Sequence, residues 1–238
     1  MSSSPILHRE GPNYFDDPLR FLKRGCVKLY SLWVSMTYPF ASKGRGLSIH
    51  YSCDLLRPYA HRIKLGNSVV IMKDAWLIVS APPEEKGEPL IVIDDNCSVG
   101  PRCQLSAKNC IHLERDVIIS ASVLIIDHNH ANEDLTLPIR LQETTEGGRI
   151  RIGQGCWIGH GAAIMCDKGE LTLGRNCVVA ANAVVTKSAP PYSVLSGNPA
   201  RVVKQFDPER GAWVLGSSRP APADPGKKEQ LSTDIVQS

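Results

Sequence analysis

From Leu65 onward an aliphatic residue recurs every six positions, in sets of three. The sets are Leu65, Ile71 and Leu77; Ile93, Val99 and Leu105; Leu113, Ile119 and Ile125; Ile152, Ile158 and Ile164; and Leu173, Val179 and Val185. Within a set the step is always six, and between sets it is 16, 8, 27 and 9. Neither the 3.6-residue period of a helix nor simple alternation produces that spacing, whereas a fixed period marks a repeat architecture. Three six-residue strands predict one turn of a triangular prism. Successive turns stack so that their strands pair in parallel, and every insertion leaves from the same prism edge. Five coils then occupy residues 65 to about 190. Ile49 and Leu55, also six apart, predict a degenerate coil before them.

A second position lies four residues after each aliphatic. Twelve of these fifteen residues are Ala, Val or Cys, and the exceptions, Asn109, Asn129 and Lys168, all follow the third strand of a coil. Small residues fit where strand corners crowd the prism axis. Cys97, Cys103, Cys156 and Cys177 occupy this slot, and free cysteine serves well as a small apolar filler. None of the eight cysteines forms a CxxC pair, so neither a zinc nor a redox signature is present.

The flanks lack the repeat. Residues 1–48 form an N-terminal segment with a helical stretch, "DDPLRFLKRGCVKLYSLWVSMTYPF", whose Asp16, Asp17 and Pro18 resemble a helix start. One reading packs this helix on the first coil, closing an open sheet edge. The other lays it on a membrane surface, with Lys23, Arg24 and Lys28 on its polar side. Residues 49–205 form the prism. Residues 206–238 turn rich in Pro, Ser, Ala and charge from about Gly216, which predicts a mostly disordered tail. Phe206 and Trp213 are candidates to anchor a short segment before it.

Composition adds little to that picture. The 238 residues are 42% hydrophobic, and the formal charge of +3 is too mild to argue for a nucleic-acid partner. The first residues, "MSSSPILHREGPNYFDD", lack the basic start and apolar run of a signal peptide, so a reducing cytoplasm is the expected compartment.

The candidate chemistry lies in "IIDHNH", Ile125 to His130. With Ile125 inward, alternation turns His128 and His130 outward and Asp127 and Asn129 the other way. His128 then sits at the base of the longest insertion, residues 131–149, and long polar loops of that kind are commonly functional. From the residues alone, this pair is a general base with a neighbour, part of a metal site, or two surface histidines.

The repeat, with "IIDHNH", "IGQGCWIGHGAAIM" and "LGRNCVVAANAVVTKSAPPYSVLSGNPARVVK", resembles the hexapeptide-repeat acyltransferases over about residues 60 to 205. The resemblance implies an all-β, left-handed parallel β-helix of five to six coils, assembled as a homotrimer with sites between neighbours. It implies transfer of an acetyl group from acetyl-CoA, without a metal, to a hydroxyl of a surface-polysaccharide or lipopolysaccharide sugar. His128 would be the general base, with His130 and Trp157 toward the acceptor. Trp157 would also border the thioester. Gly159 and Ala181 would flank the pantetheine arm, and Thr186, Lys187, Arg201 and Lys204 would meet the CoA phosphates. Some simple-sugar members place an asparagine one coil before the base, and the matching position here is Gly100. Two alternatives remain within this resemblance and its neighbours. One is N-acetylation of an amino sugar. The other is a zinc lyase like the γ-class carbonic anhydrases, drawing on His128, His130 and His160.

Overall fold

The computed structural model describes residues 18–82, 87–207 and 209–215. The prism is present with three parallel faces. The first face stacks Ser42–Lys43, Ile63–Leu65, Ile91–Ile93, Cys110–Leu113, Gly147–Ile152 and Lys168–Leu173. The second stacks Ser48–Ile49, Val70–Ile71, Ser98–Val99, Ile118–Ile119, Trp157–Ile158 and Val178–Val179, then Ser193–Gly197. The third stacks Trp76–Val79, Gln104–Ala107, Leu124–Ile126, Ala163–Met165 and Val184–Val185.

The hexad aliphatics are the reason for this register. Leu65, Ile93, Leu113, Ile152 and Leu173 pair in one column up the first face. Ile71, Val99, Ile119, Ile158 and Val179 form the second column, and Leu77, Leu105, Ile125, Ile164 and Val185 the third. All fifteen are buried, so each contributes on the order of 1.5–3 kcal/mol of apolar burial. Slipping a strand by one residue would turn its column outward. Burial pushes the slot thiol of Cys97 up to about 11, as it does that of Cys53. These are packing groups held protonated, and all eight cysteines are free.

The first two corners of each coil share a backbone device. Ser68, Asp74, Asn96, Arg102, Asp116, Ser122, Asn176 and Asn182 take φ values between 54° and 64°, and Gly155 and Gly161 take 70° and 68°. Each immediately precedes a small slot residue. Asn, Asp and Gly tolerate this left-handed conformation best, and they hold seven of these ten places.

Residues 42 and 43 already join the first face, so the prism begins before residue 49. The helix Pro18–Thr37 packs by Val34 against the core, and the Ser31 hydroxyl accepts the N–H of Ile49 at 2.8 Å. It therefore covers a strand edge of the first coil. At the other end Ala200–Asp207 and Ala212–Leu215 add antiparallel strands, with Phe206 and Trp213 in an edge-on contact at 5.7 Å. The chain is thus ordered past residue 206. The tail expected from Gly216 lies outside the described residues. Lys168–Glu170 extend the first face, pairing with Gly147–Arg149.

Candidate active site

The insertions leave from the edge between the third and first faces, and His128 lies there, two residues beyond the strand Leu124–Ile126. Its neighbour Asp127 points inward as alternation requires and is fully buried. A carboxylate in that position needs donors. Its Oδ1 accepts the N–H of Lys108 at 2.7 Å, and its Oδ2 accepts those of Asn109 and Cys110 at 2.9 and 2.8 Å. The fourth donor is the His128 ring, whose Nδ1 lies 2.9 Å from Oδ1.

An ionised carboxylate only accepts, so Nδ1 carries a proton and the neutral ring presents its lone pair at Nε2. That nitrogen faces the Ser80 hydroxyl at 3.1 Å. His128 is outward of the core yet only 8% exposed, because the neighbouring turn and Ser80 enclose it. A held ring with one defined basic nitrogen is what proton abstraction requires. Burial pushes the nearby Cys110 thiol up, which leaves it protonated and a poor nucleophile.

Lys108 ties the long insertion to this corner. Its Nζ donates to Thr144 Oγ1 at 2.8 Å and to the Thr145 carbonyl at 2.5 Å. The insertion closes on itself at its base, where Thr145 N–H reaches the Asn129 carbonyl and Ala131 N–H reaches that of Glu143, both at 2.8 Å. His130 bridges to Thr144 and is exposed, apart from the Asp127–His128 pair. Beyond this base the insertion carries Leu135, Leu137, Ile139 and Leu141, all exposed.

The other candidates occupy the second face and the far end of the prism. Trp157 is half exposed, and its indole N–H donates to Ser120 Oγ at 3.0 Å. Gly159 lies under the next coil, where an added Cβ would meet the Ala181 nitrogen and the Val179 carbonyl oxygen at 2.7 Å. Coil stacking alone therefore demands glycine there. Ala181 is exposed just above it. Thr186 and Lys187 are exposed after the last third-face strand. Arg201 and Lys204 lie on the strand Ala200–Asp207, with Lys204 Nζ over the Trp213 ring at 5.2 Å. Within one chain Trp157, Gly159 and Ala181 thus fall on another face from His128, whereas Thr186 and Lys187 follow the same edge two coils farther on.

The register corrects one expectation. Gly100 follows the second-face strand Ser98–Val99, so it is not the position one coil before His128. The Lys108–Asn109 turn holds that place, with Ser80 a coil earlier. Moreover, a Cβ at Gly100 would meet the Ser120 carbonyl carbon at 2.5 Å, so no asparagine fits. His160 sits at a corner of the second face, and among the described residues no three His, Cys, Asp or Glu side chains lie close enough to hold a metal.

Sequence reasoning left out Ser80 and the role of Asp127. Both had a signal. Ser80 and His128 each follow their column aliphatic by three residues, and Asp127 places an acid on inward parity.

No family model matches the chain. An Escherichia coli protein named for an O-acetyl transferase of lipopolysaccharide biosynthesis, WbbJ, is 29% identical over 133 residues, covering 53% of this chain and 66% of its own. A Mycobacterium tuberculosis protein named as an acetyltransferase, Rv3034c, is 38% identical over 111 residues, covering 44% of this chain and 36% of its own. Among solved structures, the N-acyltransferase AntD of Bacillus cereus, crystallised with dTDP and 3-hydroxybutyryl-CoA, superposes with a TM-score of 0.60. That match has 16% identity and covers 76% of this chain and 90% of that one. The chain is thus similar in sequence to proteins named as acetyltransferases and shares its fold with an N-acyltransferase of solved structure. With AntD it shares the left-handed β-helix, a hand that general crossover rules do not favour. The chain spans less than two thirds of the curated relatives it matches.

Proposed function

We propose that the protein is an acetyl-CoA-dependent O-acetyltransferase that acts directly on a saccharide hydroxyl, with His128 as general base. The observation that carries this reading is the Asp127–His128–Ser80 line, which holds the imidazole and leaves Nε2 as its basic atom. The acceptor hydroxyl takes the place of Ser80 against Nε2, or reaches it through Ser80. Nε2 removes the hydroxyl proton as the oxygen attacks the thioester carbonyl. The tetrahedral intermediate collapses with cleavage of the C–S bond, and the imidazolium returns the proton to the departing thiolate. Asp127 keeps the ring oriented and stabilises its transient charge. No acyl-enzyme forms, in keeping with the protonated Cys110 thiol beside the site.

Trp157, Gly159 and Ala181 would line the donor arm, and Thr186, Lys187, Arg201 and Lys204 would meet its phosphates. His130 and Trp157 would contact the acceptor. The site is then completed in a homotrimer, where the second face of one copy meets the His128 edge of the next. The exposed Leu135, Leu137, Ile139 and Leu141 of the insertion support that assembly, since a cluster of large apolar residues on a pinned loop fits a partner surface. The saccharide is proposed from the relative named for lipopolysaccharide biosynthesis, and a cytoplasmic setting is proposed with it.

The test is thiol release from acetyl-CoA against free, nucleotide-linked and lipid-linked sugars and their amino counterparts. His128→Ala should lower transfer by about 10²–10⁴-fold. An unchanged rate in that variant would overturn the mechanism. Activity on amino sugars alone would move the reading to N-acetylation, and activity requiring one zinc per site would move it to the lyase.

A further inference from the structure

The helix Pro18–Thr37 carries two apolar stripes on opposite sides. At 3.6 residues per turn, Val27, Tyr30, Ser31 and Val34 share the side that meets the prism. Leu22, Leu29, Leu32, Trp33 and Met36 share the opposite side. This outer stripe is open: Leu29 is 70% exposed, Met36 68% and Trp33 49%. The two opposed stripes explain why the sequence showed no single clean one. The helix also contains Arg20, Lys23, Arg24 and Lys28 and no acidic residue. Without these four cations the formal charge of +3 would turn negative, so the positive charge of the chain is concentrated on this helix.

We propose that the outer stripe lies on an anionic lipid surface, with the inner stripe holding the prism. Lys28 is exposed on one flank of the stripe, where headgroup phosphates would meet it, and Lys23 is exposed farther round the helix. Leu, Trp and Met on the outer side match the apolar boundary beneath the headgroups. The helix lies in the surface plane, since no described helix is long and apolar enough to cross a membrane. A second copy is a poorer occupant, because a helix with four cations and no acid gains no charge pairing from its own copy, whereas an anionic surface supplies it.

The test is sedimentation of the full chain with vesicles of phosphatidylcholine alone or with about a third phosphatidylglycerol. The wild-type chain should bind the anionic vesicles, and added salt should weaken binding. Leu29→Ser with Met36→Ser, and separately Lys23→Glu with Lys28→Glu, should each weaken it by about tenfold or more, with unchanged thermal melting. Brominated lipid should quench tryptophan emission in the wild type, and that quenching should vanish in Trp33→Phe. Failure to bind anionic vesicles would overturn the proposal, as would equal binding by the Leu29/Met36 variant. So would a wild-type chain that binds no vesicle but changes oligomeric state when the stripe is altered. Vesicle binding involves neither thioester nor acceptor, so this result is independent of the acyl-transfer reading.

Discussion

The two regular corners of each coil and its third edge solve opposite problems. At the regular corners the chain turns in the fewest residues, through a left-handed residue followed by a small buried one. Nothing larger fits, and no insertion occurs there. At the third edge the small slot gives way to Asn109, Asn129 and Lys168, and the chain departs and returns. The freed backbone amides at Lys108, Asn109 and Cys110 find their acceptor in Asp127. That buried carboxylate in turn holds His128. The regular corners supply rigidity, and the irregular edge supplies the polar groups that chemistry needs.

The sharpest way to break this contrast is at Asp127. Asp127→Asn replaces an acceptor oxygen with a donor against three backbone N–H groups and one ring N–H. We expect a loss of about 3 kcal/mol, as at least one buried amide loses its partner. Urea unfolding measures that loss. Transfer should fall with it even at temperatures where the variant is fully folded, because the ring loses its orienting partner.

A regular corner should be damaged without touching the chemistry. Gly100→Ala pushes a methyl group into the Ser120 backbone and should cost about 1–3 kcal/mol in the same unfolding assay. Below its melting temperature its kcat should match the wild type. A fall in kcat matching that of Asp127→Asn would dissolve the distinction between corner and edge.

The smallest effect concerns surface charge on the first face. Burial tends to raise the Glu114 carboxyl, but hydrogen bonds from Arg151 and the Gln154 N–H outweigh it and hold it below the usual glutamate range. A depressed carboxylate stabilises the fold above that range and loses its contribution as pH falls through the depressed value. Since Arg151 is exposed, the pair is worth about 0–1 kcal/mol. Thermal melting of Glu114→Gln should therefore trail the wild type slightly at pH 7 and converge with it near pH 3. A gap that widens on acidification would refute the assignment.

The fifteen-member aliphatic ladder was legible because its period is a direct consequence of strand length and corner geometry. The in-phase insertions located the edge, and parity located His128 and Asp127. The hydrogen bonds were not legible. Ser80 and His128 are 48 residues apart, and only stacking across coils makes them neighbours. Gly100 shows the same limit in reverse, since the family resemblance matched it to a position one coil before the base while the paired register put it on another face. The helix at residues 18–37 was visible as an apolar and basic stretch, but its two stripes could be separated only once one was seen against the prism.

By itself, then, the sequence determined the coil: which residues point inward, where each turn closes, and from which edge the insertions leave. These follow from short-range rules, repeated at every hexad. The tertiary structure decided which coil sits on which, and with it the Asp127–His128–Ser80 line, the anchoring of the insertion by Lys108 and the outward face of the helix. Such contacts join residues far apart in the chain, and their geometry exists only after every intervening coil has stacked in register.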